Sequence, residues 1–528
     1  MKKLIFIGAA FLCLFYDGNA QTGLFNEALL FSRTSFLGST RMQSLGGAHV
    51  SLGGDISSAY ANPAGLGFYN RSEVTFTPVL KFQNTDSRFF QDGFSRADNF
   101  SGGESSSYRG NIGLFNFGLV FNKPSETEGK FKGWNLAFSI DRTNDFNEEI
   151  AYRGENNISS LTFAFADNAF NIPDGDLRGL EGAAFETFIL NPDLDGNGNL
   201  IYDPITLFDT ATVDGQLREF YSFPIQEEVI RRSGSQNQWS FAAGGNYDDR
   251  IFFGGGIGIT SIGYEQDKVF RESEFYVLGE PGVIEEGFDG RLDAITLRED
   301  LRIDGIGINA TLGMIFRPVN FLTFGISYIT PTIYTISEES TFTLTNVLNT
   351  DVLTLGGDFI DAGSYEILGD IITSNYSLRV PGKLNLGSSV IIGKYGFITG
   401  SVEITDYSRA ELNSPDFFTD ADNDAIQSLY TSVTNVRVGG ELRLDNFRLR
   451  AGYAVLNNPF EAGTEATTTQ SISYGAGYKT REWYADLGVV SSSSDRVYSP
   501  YLLFDNSQPI IESEVRDIRV VMTVGFTF

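Results

Sequence analysis

From Ile518 to the last residue the chain alternates without interruption. Ile518, Val520, Met522, Val524, Phe526 and Phe528 fall on one side, and Arg519, Val521, Thr523, Gly525 and Thr527 on the other. A period of two with one nearly continuous apolar face predicts a strand that shows lipid outside and a more polar lumen inside. The same pattern is clear at Trp134, Leu136, Phe138 and Ile140, at Ile306, Ile308, Ala310, Leu312, Met314 and Phe316, and at Phe447, Leu449, Ala451, Tyr453 and Val455. Taking the apolar face as lipid-facing throughout predicts fourteen strands, starting near Val74, Asn111, Gly133, Gln238, Arg250, Asp304, Phe321, Tyr376, Gly396, Val433, Phe447, Ser471, Glu482 and Val515. Two places fit poorly: Pro78 interrupts the first strand, and Gly254 to Gly256 give the fifth little lipid contact.

The links between these strands alternate in length. Short ones fall at 122–132, 248–249, 317–320, 393–395, 445–446 and 479–481, and the longest of the others spans 153–237. Outer-membrane barrels have short periplasmic turns and long external loops, so both barrel ends belong in the periplasm. Aromatics beside the short turns, among them Phe121, Trp134, Tyr247 and Trp483, make a periplasmic girdle. The expectation is an all-β fold: a fourteen-stranded antiparallel transmembrane β-barrel over 73–528, with Phe526 and Phe528 as the terminal aromatics read by the barrel assembly machinery at membrane insertion.

The other end agrees. Lys2 and Lys3 precede the apolar run Leu4 to Tyr16, and Gly18, Asn19 and Ala20 supply the small residues of a cleavage site, which predicts a signal peptide over 1–20. The single cysteine, Cys13, lies within it, so the exported chain carries neither disulfide nor lipid anchor. Downstream no stretch reaches the run of about 18 apolar residues that a membrane-spanning helix requires. With 67 acidic against 38 basic residues the net charge is −29, which excludes nucleic acid as a partner. The carboxylates gather in the external loops, where divalent cations held by lipopolysaccharide offset them. The location expected is the outer membrane of a Gram-negative bacterium, among its lipid and lipopolysaccharide.

Residues 21–72 precede the first strand. They carry Phe36-Leu37-Gly38, Leu45-Gly46-Gly47-Ala48, and Gly53-Gly54-Asp55-Ile56-Ser57-Ser58-Ala59-Tyr60-Ala61-Asn62-Pro63-Ala64-Gly65-Leu66. This run resembles the amino-terminal hatch of the FadL/TodX family of outer-membrane transport proteins, with the family's Asn-Pro-Ala on Asn62, Pro63 and Ala64. The resemblance implies a fourteen-stranded barrel plugged by the hatch, which takes up long-chain fatty acids or other hydrophobic compounds passively and releases them laterally into the membrane. The second external loop is much longer than in the best-known members. The residues themselves suit a plug. Asp55 is placed to N-cap a short helix through Tyr60, Asn62 before Pro63 is pushed out of helical geometry, and Gly46 and Gly47 permit tight turns. Leu24, Phe25, Ala28, Leu29 and Phe31 form an apolar stripe at helical spacing. A periplasmic linker outside the barrel is the other reading of the segment.

Little points to catalysis. The one histidine, His49, lies in the glycine-rich hatch with no Gly-x-Ser-x-Gly and no cysteine nearby, so the chain is not expected to be an enzyme. Asp193, Asp195 and Asn197 stand at positions 1, 3 and 5 of a calcium-type loop, followed by Gly198, Asn199 and Leu200, but Pro204 replaces the bidentate glutamate. Half a calcium site and an ordinary Asx/Gly turn both fit. Around the Asp445-Asn446 turn, alternation sends Arg437, Glu441, Arg443, Arg448 and Arg450 into the lumen and pairs Glu441 with Arg450 and Arg443 with Arg448. The second pair repels, which calls for an anion: a hatch residue such as Asp55, a neighbouring strand's carboxylate, or a ligand carboxylate. The function expected is a hatch-gated channel for a hydrophobic small molecule, with a subunit or scaffold of an outer-membrane secretion or assembly complex as the rival.

Overall fold

The computed structural model describes residues 23–35, 38–90, 104–126, 129–156, 158–194, 200–206, 210–213, 216–219, 224–275, 292–349, 351–353, 359–461 and 468–528. The predicted signal with Cys13, and Asp195, Asn197 and Asn199 of the candidate calcium loop, lie outside these residues; Asp193 lies in a short loop strand, Leu190–Leu194.

Fourteen strands make one closed antiparallel barrel. In chain order they are β1 (Glu73–Phe90), β2 (Ser105–Pro124), β3 (Phe131–Asp145, continued as Glu148–Glu155), β4 (Ile225–Tyr247), β5 (Ile251–Ser273), β6 (Leu292–Val319) and β7 (Leu322–Ile329, continued as Thr332–Leu348). There follow β8 (Ile372–Val380, continued as Lys383–Ile392), β9 (Gly396–Asp406), β10 (Ser432–Leu444), β11 (Phe447–Leu456), β12 (Thr469–Lys479), β13 (Trp483–Tyr498) and β14 (Ile510–Thr527). Hydrocarbon offers no hydrogen bonds, so the sheet must close on itself. It does so between β1 and β14, from Glu73 opposite Thr527 to Phe90 opposite Ile510. Beyond that ladder, the Phe528 N–H donates to the Ser72 carbonyl at 2.9 Å and the Ser72 N–H to Phe528 at 3.1 Å.

The alternation of β14 sorts as its sequence requires: Ile518, Met522, Phe526 and Phe528 are exposed on the outer face, while Val521 and Thr523 are buried inside. Pro78 does not end β1. The register shifts between Thr77 and Pro78 and Phe115 of β2 is left over, so the missing N–H is absorbed by a bulge. Proline has a larger effect elsewhere, since Pro331 separates the two pieces of β7 and Pro381 those of β8.

Several strands begin or end well outside the membrane band and extend beyond the starts read from sequence. β4 begins at Ile225 and β6 at Leu292, and β3 runs on to Glu155, so the long second loop, expected over 153–237, occupies 156–224. On these extensions the outer face is charged, as in the Arg298–Asp300 and Arg302–Asp304 ion pairs at 3.1 and 2.9 Å. A search for lipid-facing apolar residues stops where the lipid stops. The inner face of the extensions instead packs against the second loop. Its helices α4 (Leu161–Ala169) and α5 (Gly179–Glu186) bury Phe165, Ala184 and Ile189 with Phe270, Ile295 and Leu344 of the wall. Each large apolar side chain so buried contributes about 1.5–3 kcal/mol. The Glu272 carboxylate of β5 fixes the start of α4, accepting the Leu161 N–H at 2.8 Å and the Ser160 hydroxyl at 2.6 Å. The external mouth is roofed by this loop.

A closed barrel resists detergent unfolding, so the purified protein should migrate faster on a gel unheated than boiled and show a β-dominated circular dichroism spectrum. A helix-dominated spectrum would be incompatible with this fold.

Candidate functional site

The segment before β1 lies inside the barrel. It forms helix α1 (Phe25–Ser32), α2 (Thr40–Ser44), α3 (Ser58–Ala61) and a 3-10 turn at Pro63–Phe68. Ser39 caps α2 through its hydroxyl, which accepts the Met42 N–H. Gly46 and Gly47, at φ +65° and +78°, end the helix in left-handed geometry that side chains rarely adopt. Asp55 acts ahead of the helix it was expected to cap: its Oδ1 accepts the Ser57 N–H at 2.9 Å and its carbonyl the Ser58 N–H at 3.0 Å. The Ser39 hydroxyl lies 2.9 and 2.8 Å from the two Asp55 carboxylate oxygens, tying the ends of the hatch together.

The hatch touches the wall at glycines. A Cβ at Gly313 of β6 would collide with the Asn62 side chain, one at Gly244 or Gly254 with Pro63, and one at Gly325 of β7 with the Val50 carbonyl. On the far side, a Cβ at Gly439 of β10 would stand 2.5 Å from the Leu45 carbonyl oxygen, and one at Gly452 of β11 would collide with the Gly46 N–H. The glycine run of β5, which gave the strand little lipid contact, is thus part of the hatch seat. Inward-facing glycines recurring on successive strands at one height were the available sequence signal for this contact.

Wall side chains then satisfy the hatch carbonyls. Ser327 donates to Ala61 at 2.8 Å, Asn135 to Leu66 at 2.8 Å and Thr323 to Ser51 at 3.0 Å. Asn62 donates to the Val50 carbonyl at 2.7 Å and accepts the Ala64 N–H at 3.2 Å, fixing the turn at Pro63. His49 is fully buried with Nε2 2.9 Å from the Ser58 hydroxyl, and burial pushes its pKa down to about 4. Burial would raise the Asp55 carboxyl, but the His49 ring, the Arg41 guanidinium and the hydrogen bonds from Ser39 and Ser57 hold it below the usual carboxylate range.

The cluster at the Asp445-Asn446 turn has the predicted register, Glu441 opposite Arg450 and Arg443 opposite Arg448. Asp55 takes no part in it. Glu441 receives Arg443 and Arg450, each at 2.8 Å, and Arg450 also meets Asp486 of β13 at 2.8 Å. The hatch contributes a cation, with Arg41 3.7 Å from Glu441. Arg448 avoids Arg443 by turning outward to the Asp445 and Phe447 carbonyls, and Arg437 pairs with Glu403 at 3.4 Å. The expected anion for Arg443 is therefore Glu441, two residues away on its own strand.

Above the hatch the lumen is two-sided. Along β5 to β8, Tyr264, Ile303, Tyr334, Ile336 and Leu378 pack with Leu24 and with Ala28 and Phe31 of α1, beside the buried Glu338 carboxylate that accepts the Tyr376 hydroxyl at 3.0 Å, and a second apolar cluster with Leu297 and Leu344 lies above at the roof. Across the lumen stand ions: Glu148 of β3 meets Arg232 of β4 at 2.9 Å and Arg496 of β13 at 2.5 Å.

The wall itself has a seam. The β2–β3 ladder runs from Pro124 opposite Gly133 to Asn116 opposite Asp141, and beyond it β2 pairs only with β1 and the second piece of β3 only with β4. A bulge between Arg142 and Asn144 turns β3 inward. The inward-pointing Ser107 of β2 reaches the Glu149 carbonyl at 2.6 Å and the Phe89 ring of β1 lies 6.1 Å from Tyr152, so this piece passes on the lumen side of both strands. Side chains hold the seam in place of a ladder: Lys81 and Arg142 each meet Asp145 at 2.9 Å, and the Arg142 guanidinium lies over the Phe115 ring at 5.3 Å. Ile112 and Leu114, on the outer face beside it, are exposed at lipid-facing positions.

These features define an outer-membrane-type β-barrel plugged by its own amino-terminal segment. Among solved structures the chain is similar to a FadL homologue of Pseudomonas aeruginosa, at 13% identity and a TM-score of 0.52, over 94% of this chain and 99% of that one. The P. putida toluene transporter TodX matches at 9% identity and a TM-score of 0.48, and the monoaromatic hydrocarbon channel CymD at 12% and 0.47, each over 94% of this chain and 99% of the other. The shared feature is the FadL-type fold. No protein-family model and no curated protein matches the sequence.

Two substitutions test the seat. Gly254→Val suits a strand but strikes Pro63, and Asn62→Ala leaves buried backbone groups unpaired at a cost of about 1–3 kcal/mol. Both should assemble as barrels yet leak small polar solutes in conductance measurements, whereas Gly255→Val, on the outer face, should stay tight. Equal conductance in all three would remove the hatch as the plug.

Acid should loosen the hatch. The unfolded hatch binds a proton at His49 near the ordinary pKa of 6.5, but the folded one only near 4. Stability is therefore complete above 6.5 and falls as pH drops toward 4, by about 3 kcal/mol in all. Hydrogen exchange of residues 39–66, corrected for intrinsic rates, should lose protection from pH 7 to 5 in the wild type and lose less in His49→Gln. Parallel loss in both would assign the effect to another group.

Proposed function

We propose that the barrel conducts amphiphilic hydrophobic compounds, long-chain fatty acids foremost, passively from the cell exterior into the outer membrane, with the hatch closing the periplasmic end. The observation that carries this reading is the seam between β2 and β3: an opening in the hydrogen-bonded wall, at lipid-facing height, beside a lumen with one apolar side. An unpaired sheet edge in the hydrocarbon region is tolerated only where protein covers it or it lines a cavity; here the second piece of β3 covers it from the lumen side, and in this reading that piece moves aside for a passing molecule. A molecule entering beneath the second loop meets apolar side chains along β5 to β8 as far as α1, with ion pairs across the lumen for a polar head. That two-sidedness favours a long chain with one polar end over a small neutral hydrocarbon. The seated hatch blocks the straight path to the periplasm, which leaves lateral release through the seam. The side chains that hold the seam, Lys81, Asp145 and Arg142, are the gate in this reading.

The test is to tie the seam shut. With Cys13 the single cysteine of the chain, Ser107→Cys combined with Glu149→Cys can be bridged by a short bis-methanethiosulfonate, which forms a disulfide at each thiol with loss of methanesulfinate. Bridging should lower uptake of a labelled long-chain fatty acid by cells about tenfold, equivalent to roughly 1.4 kcal/mol on the rate-limiting barrier, and reductant should restore it. Either single variant should transport like the wild type after the same treatment. Undiminished uptake through the bridged barrel would rule out the seam as the exit. Failure of the wild type to take up any hydrophobic compound, with a protein partner co-purifying, would favour the complex-subunit reading.

A further inference from the structure

The outer wall has a hollow directly behind the hatch seat. Trp134 of β3, Phe253 of β5, Leu312 and Met314 of β6 and Tyr328 of β7 surround it, Gly245 and Gly255 form its floor, and its volume is about 800 Å³. Barrels of this kind usually fill their outer face with side chains. Here adjacent strands carry glycine at neighbouring heights facing both ways: Gly244 and Gly254 inward against Pro63, Gly245 and Gly255 outward, where Phe131, Phe253 and Leu312 flank them. The wall is one backbone thick at this point.

We propose that this hollow binds one glycerophospholipid of the periplasmic leaflet, with a zwitterionic primary-amine headgroup. Two observations fix the occupant. First, the hollow continues the lipid-facing band and lies next to the periplasmic turns, so what reaches it in the membrane is an acyl chain, a flexible group that can fit an uneven apolar surface. Second, the turns next to its lining residues Phe131 and Gly245 carry matching charges. The Asp248 N–H donates to the Lys130 carbonyl at 2.6 Å and the Arg317 N–H to the Arg250 carbonyl at 2.7 Å, which lines up the turns β2–β3, β4–β5 and β6–β7 beneath the hollow. Lys130, Lys132 and Arg250 are exposed there and make no ion pair among the described residues, as a phosphate site requires, while Asp248 and Asp249 stand between them for an ammonium group. The site stands on the barrel geometry and not on the transport reading. Its occupant backs the strands against which Asn62 and Pro63 are seated, so lipid on one side and hatch on the other brace the same thin wall.

Native mass spectrometry of the barrel released from lipid nanodiscs reads the site. Wild type from discs of phosphatidylethanolamine and phosphatidylglycerol should retain one phospholipid, mainly the amine form. Gly255→Phe, which fills the hollow from its floor, should lower the retained fraction about tenfold, and Lys132→Glu with Arg250→Glu should lower it and remove the headgroup preference. Val489→Phe, an outward change on β13, serves as the control and should retain lipid like the wild type, with heat-shifted gel mobility confirming that every variant is folded. Equal retention by Gly255→Phe and wild type would overturn the site. Exclusive retention of phosphatidylglycerol would overturn the headgroup assignment, and a dimer in place of bound lipid would give the hollow to a second copy of the chain.

Discussion

The absence of a Cβ on the inner wall is what the rest of this molecule depends on. The hatch approaches the barrel backbone to backbone, at Gly244, Gly254 and Gly313 on one side and at Gly439 and Gly452 on the other. At such separations no side chain fits between, so hatch carbonyls come within reach of the short Ser, Thr and Asn side chains of neighbouring inward positions. Close approach thus creates the hydrogen bonds that satisfy a buried, irregular segment, a requirement that would otherwise exclude such a segment from the membrane plane. The same glycines weaken local strand preference and leave the outer face without cover.

Above that plane the organisation changes from contact to contrast. One side of the lumen carries apolar clusters at the roof and at α1, with the buried Glu338 and the Lys268–Glu299 pair among them, and ion pairs such as Glu148 with Arg232 and Arg496 hold another. Buried pairs of this kind add little net stability compared with apolar packing, but they leave few alternative partners for the strands that carry them. At the seam single side-chain contacts stand where a ladder would run, Lys81 of β1 on Asp145 of β3 and Arg142 of β3 over the Phe115 ring of β2, and each can be exchanged on its own. A wall held by side chains opens at lower cost than one held by a cooperative sheet.

Much of this was legible in the sequence because the lipid imposes a strict period. The strand count, the alternation of β14 with Phe526 and Phe528 outward, and the Glu441–Arg450 register all follow from residues that sort between two solvents. The external extensions of β4 and β6 were illegible by that criterion, since their outer faces meet water and carry Arg298 and Arg302 with their acidic partners. Pro78 was over-weighted, because one spare residue opposite it absorbs the missing donor. The partner of Arg443 was sought in the hatch, on a neighbouring strand or in a ligand carboxylate, and Glu441 meets it from two positions away on its own strand. The seam was hidden for a different reason. Nothing in β2 or β3 taken singly announces a missing partner, and only the inward turn at Arg142 creates it.

The pairing of Ser72 with Phe528 constrains the order of events in biogenesis. Ser72 directly precedes β1 and its partner directly follows β14, so the two groups meet only once the twelve strands between have been made. That contact spans nearly the whole sequence, and long-range contacts of this kind form last. The 3-10 turn ending at Phe68 is joined to β1 by residues 69–72 alone, a link that reaches about 15 Å at most and keeps the hatch beside the first strand. A hatch held so near β1 lies beside the seam where the cylinder closes, and the β1–β14 ladder is the last turn of wall around it.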